Sequence, residues 1–471
     1  LGTLAIKPGA CDCRCHGAQA GGVTANVAAH AGPPPDEPPS SGQSEVWYDF
    51  ESGQTRFWSG EQWINGPVGP QGAPGEQGPP GEQGPPGVSG NVFRVTEFGA
   101  VGDGVTDDSA AFQAAQAAAT AAGGGTVLVP PPNVAWRLGD GTNAVQATQG
   151  SSVVVGSNTD WVGVGNPKVI VGSRNPSGNY GFLVRDVSNA AVRGMCFDGQ
   201  AQAPTDRPYV GVAFEGVVQN VGVYDSEFYN FANFAAQYGD VETDPALAKF
   251  TDLTFQNVTI GGVAGLPGAG SGINVFNRAC EGGLPASTGL VVRNLSVDVS
   301  NGSLDRTMHG PQGLKVNNVN GATIENFFGR GGEIANVVLA NETINTTFDG
   351  RGELSTLGLN INTLGSVRKG YTRDITIGSW DYNAAGVTGI GNPAGVRYRG
   401  ALRNIHFERG DIVGADFLVQ DAYTNDIQVG DAEPQNWTFG NVVLYGGGQV
   451  VVEPVSDPNQ PPLITPNVTV A

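Results

Sequence analysis

Residues Glu97 to Pro131 read EFGAVGDGVTDDSAAFQAAQAAATAAGGGTVLVPP and form one supersecondary unit. Just upstream, Val92, Phe93 and Val95 make a short apolar run that stops at Gly99. Gly102-Asp103-Gly104 is a turn cluster that no helix or strand interior tolerates. A helix is predicted next. Thr106 stands where an N-cap belongs, with Asp107 and Asp108 in the first turn, where their charge meets the positive end of the helix dipole. Ala111, Phe112, Ala115, Ala118, Ala119 and Ala122 recur at helical spacing, giving a narrow face that can lie close to a sheet, and Gly123-Gly124-Gly125 ends the helix. Thr126 to Val129 follows as a strand, closed by Pro130-Pro131-Pro132 because proline cannot donate to a ladder.

Downstream, an Asn or Asp followed by alternating apolar residues recurs. It reads Asn189-Ala-Ala-Val192, Asn220-Val-Gly-Val223, Asp252-Leu-Thr-Phe255, Asn294-Leu-Ser-Val297, Asp374-Ile-Thr-Ile377, Asn404-Ile-His-Phe407 and, less regularly, Asp426-Ile-Gln-Val429. The gap between Asn294 and Asp374 is wide enough for two further coils, and Val316 to Phe327 and Val337 to Phe348 supply suitable strands. Unequal spacing of this kind fits solenoid rungs with loops of different size.

The unit at 97 to 131 closely resembles the opening motif of the pectate-lyase-like superfamily, which includes polygalacturonase-like enzymes and many bacteriophage tailspikes. The resemblance implies an all-β, right-handed, single-stranded parallel β-helix. Its helix would cap the open end, and the Gly-Gly-Gly-Thr-Val strand would start the first coil. A small α/β unit of another kind is the competing reading, and the downstream repeat weighs against it.

A second signal lies upstream. Gly66 to Ser89 reads GPVGPQGAPGEQGPPGEQGPPGVS, an unbroken Gly-X-Y register carried by Gly66, Gly69, Gly72, Gly75, Gly78, Gly81, Gly84 and Gly87. Only glycine fits at the axis of a collagen triple helix, so this register predicts a homotrimer; a disordered Pro/Gly linker is the alternative. Val46 to Asn65 concentrates Trp47, Phe50, Phe57, Trp58 and Trp63 and reads as a three-stranded meander. Two or three strands alone are barely stable, so Trp47, Trp58 and Trp63 are expected to pack in a trimer cap, with a sugar-binding platform as the alternative. Cys11, Cys13, Cys15 and His16 carry donors that suit zinc, although their spacing matches no common zinc pattern. Interchain disulfides and an ion-free arm compete with that reading, and no other cofactor is expected. Cys196 and Cys280 stand alone and are expected to be buried as small hydrophobes.

The expected organisation is a flexible virion-attachment arm over 1–45, the aromatic cap over 46–65, a collagen-like stalk over 66–90, an opening strand and capping helix over 91–125, the β-helix body over 126–448 and a tail over 449–471. A net charge of −20 argues against nucleic acid, whose phosphates need a basic face. The first residues lack the basic and apolar regions of a secretory signal, and no 18-residue apolar run is present, so no membrane insertion is expected.

This order of parts resembles a phage tailspike or minor tail protein, made in the host cytoplasm and located in the virion tail. The resemblance implies other tail proteins as partners at the N-terminal end and a host surface polysaccharide at the body. A polysaccharide depolymerase on the same spike, hydrolase or lyase, is one alternative; a non-viral secreted surface protein with a collagen stalk is another. The catalytic motifs of polygalacturonase-like members are absent: Asn179-Tyr180, Tyr209-Val210, Gly270-Ser271 and Pro311-Gln312 stand in the matching places, and His309-Gly310 with Lys315 is a faint echo. Glycoside hydrolysis needs two carboxylates about 5.5 Å apart for retention or roughly 6.5–9.5 Å apart for inversion. The candidates are Asp225 and Glu227 as acid and base, with Asp240 or Glu242 as a third carboxylate. Aligning the coils puts Asp225 opposite Asn257 and Glu227 opposite Thr259, and an Asp/Asn column at a coil corner also reads as a turn-stabilising ladder. Trp380 and Tyr382 are candidates for stacking against sugars, with exposed loop aromatics or a trimer contact as the other readings.

Overall fold

The computed structural model describes residues 26–30, 45–49, 54–58 and 61–65, and then 91–470 apart from 140–150, 173–179, 201–209, 232–233, 240–247, 262–270, 278–279, 282–283, 299–311, 332–334, 356, 363–371, 386, 388–393, 400–401, 416, 422–434 and 446–467. The chain divides into two compact units, Leu1–Pro85 and Pro86–Ala471. In the first, Glu45–Asp49, Gln54–Trp58 and Trp63–Asn65 pair antiparallel as the predicted meander, with Trp58 opposite Trp63. A fourth strand, Asn26–His30, pairs parallel with Glu45–Asp49 and lies in the span expected to be a flexible arm. The collagen-like run and the cysteine cluster lie outside the described residues.

The second unit is a parallel solenoid. Each coil places one strand in a sixteen-stranded sheet and another in a ten-stranded sheet, and each strand pairs with its equivalent one coil later. Val217–Tyr229, Lys249–Gly261, Ser287–Asp298 and Val319–Arg330 pair in succession on the first sheet. Val210–Glu215, Phe234–Tyr238, Ser271–Phe276 and Gln312–Asn317 do so on the second. Two further coils do fill the gap before Asp374, through Gln312–Asn317 with Val319–Arg330 and Ala335–Ala340 with Ile344–Glu353. The tail adds Val468–Val470 to the edge of the large sheet.

The repeating Asn/Asp has a conformational cause. Register aligns Asn158, Asn189, Asn220, Asp252, Gly289, Gly321, Asn345, Asp374 and Asn404 in one column, and all have φ between 50° and 81°. A left-handed corner selects Asn, Asp or Gly. Asn294 belongs elsewhere: Gly289 holds its coil's place in that column, and Asn294 lies five residues on, in a second left-handed column with Gly194, Asp225, Asn257 and Asn326. The sequence pattern merged the two columns because both place Asn before an apolar alternation. Register sets Asn436 opposite Asn404, while Asp426 lies outside the described residues.

The capping helix spans Ser109–Ala121 with Asp108 as N-cap, so it starts later than predicted. Thr106 instead donates from its hydroxyl to Asp103 at 2.8 Å, closing the glycine-flanked turn. Asp108 accepts from the Val101 and Gly102 amides at 2.6 and 3.3 Å, and Asp107 accepts from the Ser109 hydroxyl at 2.6 Å. The aspartates of this motif therefore hold the turn against the helix. Ala111, Phe112, Ala115 and Ala119 are buried on the capping face, whereas Ala118 is half-buried and Ala122 is exposed. Gln113 closes the open ladder of Ser151–Val155 with two hydrogen bonds to the Val154 backbone, at 2.8 and 3.3 Å. Gly124 has no tolerable alternative: a Cβ there would lie 2.4 Å from the Asn158 carbonyl oxygen.

Inside, an aromatic file runs from the helix through the first coils. Phe112 stacks on Trp161 at 5.6 Å, Trp161 meets Phe182 edge-on at 4.9 Å, and Phe197 stacks on Phe228 at 4.9 Å. Each such ring contributes roughly 1.5–3 kcal/mol of burial, so the core is stabilised along its whole length rather than at one centre. Among the described residues no helix is long and apolar enough to cross a membrane.

Candidate functional site

The outer faces of the solenoid carry the polar chemistry. On the large sheet, register stacks Lys168, Cys196, Glu227 and Thr259 in one outward column and Asp198, Tyr229 and Gly261 in the next. Glu227 does lie opposite Thr259, and Asp225 falls opposite Asn257.

Asp225 is a ladder residue. Its φ is 50°, and its carboxylate accepts from Asn257 at 2.7 Å; Asn257 accepts from Asn294 at 2.7 Å, and Asn294 from Asn326 at 2.8 Å. A parallel ladder joins Asn158, Asn189 and Asn220 at 3.0 and 2.9 Å. Asp225 thus holds a corner.

Glu227 is half-buried on the outer face and accepts from the Tyr229 hydroxyl at 3.1 Å. Beside it, Lys168 pairs with Asp198 at 2.8 Å, and Asn230 and the Gln200 amide donate to Asp198 at 3.0 and 2.9 Å. Burial alone would raise the Asp198 carboxyl, but these hydrogen bonds and the Lys168 charge outweigh it and hold it below the usual carboxylate range. Burial, then the Glu227 charge, pushes the Tyr229 phenol up. Cys196 departs from the expectation of a buried hydrophobe: it is half-buried on this outer face. Burial and then Glu227 raise its thiol, so it stays protonated and unreactive.

Asp198 and Glu227 are diagonal neighbours on adjacent parallel strands of this outer face. Asp198, held ionised, has the charge state of a general base and not of a general acid. Asp160 is the acid that burial pushes up, with Arg193 partly offsetting it from 3.9 Å. The Arg193 guanidinium in turn lies 3.9 Å over the Tyr224 ring. Asp160 follows the left-handed corner at Asn158 and is the only carboxylate on its strand, a position that the repeated Asn/Asp pattern does not set apart.

Further along the same face, charges pair with one another. Arg293 meets Glu325 at 2.7 Å, and Arg330 bridges Asp298 and Glu353 at 3.8 Å each. Arg351 lies 4.5 Å over Phe328.

Trp380 and Tyr382 are not on a surface. Both are 1% exposed, because on the strand Thr372–Asn383 they alternate with Asp381 and Asn383, which take the outward positions. Trp380 Nε1 donates to the Gly395 carbonyl at 3.1 Å, and the Tyr382 hydroxyl donates to the Ser355 carbonyl. Gly358 makes room for both rings: a Cβ there would lie 2.9 Å from each. Trp47 and Trp58 lie on strands of the N-terminal sheet, and Trp63 is half-buried. Asp240, Glu242, Cys11, Cys13, Cys15, His16 and Gly66 through Gly87 fall outside the described residues.

A family described as rhamnogalacturonase A/epimerase, pectate lyase-like, matches residues 92–133, the unit that opens the solenoid. The fold is the pectate-lyase-like parallel β-helix. No curated protein matches the chain in sequence. Among solved structures, the A-module of mannuronan C-5 epimerase AlgE4 from Azotobacter vinelandii aligns at 16% identity over 81% of this chain and 97% of its own, with a TM-score of 0.50. The tailspike protein of E. coli bacteriophage HK620, solved with a hexasaccharide, aligns at 13% identity over 75% of this chain and 66% of its own, with a TM-score of 0.54. A second form of that tailspike, with a pentasaccharide, gives 12% identity, 80% and 65% coverage and a TM-score of 0.53. At these identities the likeness is one of fold.

Proposed function

We propose that this chain is the glycan-recognising spike of a phage tail, a homotrimer joined by its Gly-X-Y stalk, whose β-helix body binds a polysaccharide of the host surface. One observation carries the reading: outward polar side chains stand in coil register on a rigid wall, as Lys168, Cys196 and Glu227 do. Successive coils repeat every ~4.8 Å, so such a wall offers a long polymer the same kind of contact at each step. The unbroken Gly-X-Y register supports three copies, and the tailspike of similar fold is one solved with oligosaccharides. The N-terminal region would then attach to other tail proteins, with Cys11, Cys13, Cys15 and His16 as its candidate zinc or disulfide cluster.

Recognition is favoured over depolymerisation because Asp225, one of the two carboxylates the sequence offers as acid and base, is held in a corner ladder. The test is incubation of the full chain with a panel of bacterial envelope polysaccharides, following retention, chain length and reducing ends. Retention of intact polymer by a trimeric protein is expected. Shortened polymer with new reducing ends would make the spike a depolymerase, and a monomer with no affinity for any polysaccharide would overturn the reading.

A further inference from the structure

Tyr229 ends the strand Val217–Tyr229 on the outer face that carries Lys168, Cys196 and Glu227. Solvent reaches this face: Lys168 and Thr259 are exposed, and Cys196, Glu227, Tyr229 and Gly261 are each half-buried. Register and alternation put all of these residues on one side of the sheet, because Val169, Phe197, Phe228 and Ile260 take the buried positions between them.

Elsewhere on the large sheet an outward ring has a cation over it. The Arg193 guanidinium lies 3.9 Å over Tyr224, and that of Arg351 lies 4.5 Å over Phe328. Tyr229 has neither a ring nor a cation against it among the described residues. The next coil places Gly261 in register with it, so that position carries no side chain to cover the ring. The Cδ1–Cε1 edge of Tyr229 occupies the space instead: a Cβ on Gly261 would lie 2.4 Å from Cδ1. The Tyr229 hydroxyl donates to Glu227 Oε2 at 3.1 Å, which holds the ring in place.

The groups beside the ring select what can lie on it. A sugar has an apolar C–H face that suits an aromatic ring, and a rim of hydroxyls that can donate to a carboxylate. Glu227 supplies that acceptor, because its Oε1 has no hydrogen-bond partner and no cation pairs with it among the described residues. The nearby Lys168 is engaged with Asp198 at 2.8 Å. An acidic sugar on Tyr229 would therefore set its charge against Glu227 with no cation to answer it, whereas a hydroxyl donates to Glu227 directly.

We propose that Tyr229 is a stacking platform for an uncharged sugar ring, one hydroxyl of which donates to Glu227 Oε1. The proposal rests on the glycan-binding reading and deepens it, by naming the side chain that holds the sugar and the class of sugar held.

The test uses the full chain and the polysaccharide it retains. Tyr229→Ala is expected to weaken retention about tenfold, and Tyr229→Phe, which keeps the ring, to stay within about threefold of the parent. Gly261→Ala is expected to weaken it too, since the added methyl displaces the ring without changing Tyr229 itself. Hydroxyl-radical footprinting of the parent chain needs no variant: Tyr229 should be oxidised more slowly when the polysaccharide is bound. Among polymers of known composition, uncharged ones should be retained in preference to polyuronates. Parent-like binding by Tyr229→Ala, equal losses in Tyr229→Ala and Tyr229→Phe, oxidation of Tyr229 unchanged by the polysaccharide, or polyuronates bound as tightly as uncharged polymers would each overturn the proposal while leaving glycan binding intact. A parent chain that retains no polysaccharide would overturn glycan binding itself.

Discussion

The two sheets of the solenoid differ in how far their polar side chains satisfy one another. On the large sheet, Arg293 answers Glu325, Arg330 answers both Asp298 and Glu353, and the Asn ladder from Asp225 to Asn326 passes each hydrogen bond to the next coil. Around the ten-stranded sheet Arg185 answers Glu215, but among the described residues Asn274, Gln312, Asn317 and Asn341 each keep one buried polar atom without a hydrogen-bond partner, and burial holds the Lys315 ammonium below its ordinary value. Polar groups that satisfy one another from coil to coil hold the coils together, so the pairs among Arg293, Glu325, Arg330, Asp298 and Glu353 are contacts between coils.

That contrast can be tested by substitution, beginning with the core that both faces share. Trp380→Ala is expected to cost about 3–5 kcal/mol, read as the urea midpoint, because it empties a site packed against Gly358 and Tyr382. A variant as stable as its parent that had only lost glycan affinity would return Trp380 to the surface. Asn257→Val should cost roughly 1–3 kcal/mol, since it forces a β-branched residue to φ 54° and breaks two ladder bonds; no change in thermal unfolding would remove the ladder from the account.

Asp198→Asn should cost about 1–2 kcal/mol at neutral pH through loss of the Lys168 pair. The sign follows from its depressed folded-state carboxyl. The stabilisation is fully present above the unfolded value near 3.8 and is lost as pH falls through the lower folded one, so the gap between variant and parent should narrow as pH falls below 3.8. A gap that persisted there would mean that the ion pair is not its source. The smallest effect belongs to Arg330→Met. Arg330 and its two partners are all more than a third exposed, so at most about 1 kcal/mol is expected, and it should shrink in high salt.

The fold was legible because its strongest signals are backbone necessities. Gly124 must lie under the Asn158 carbonyl, and a left-handed corner on every coil selects Asn, Asp or Gly, so both leave residue-specific marks. The exact coil length was not legible, since ladder partners range from 25 to 37 residues apart and two left-handed columns share one local pattern. Sites fared worse for a related reason. Trp380 and Tyr382 read as surface aromatics because SWDYN carries polar neighbours, yet period two puts the rings inside and Asp381 and Asn383 outside. Asp225 read as a ladder residue more readily than as an acid, and its left-handed φ and its contact with Asn257 make it the former. Tyr229 and Gly261 are far apart in the chain and become neighbours only through register.

The most direct test is polysaccharide binding by the full chain, comparing Glu227→Gln with Arg330→Met. Glu227→Gln is expected to bind more weakly than its parent, whereas Arg330→Met, whose partners are charges of neighbouring coils, is expected to bind as its parent does. Normal binding by Glu227→Gln together with lost binding by Arg330→Met would contradict the wall of Lys168, Cys196 and Glu227 as the site.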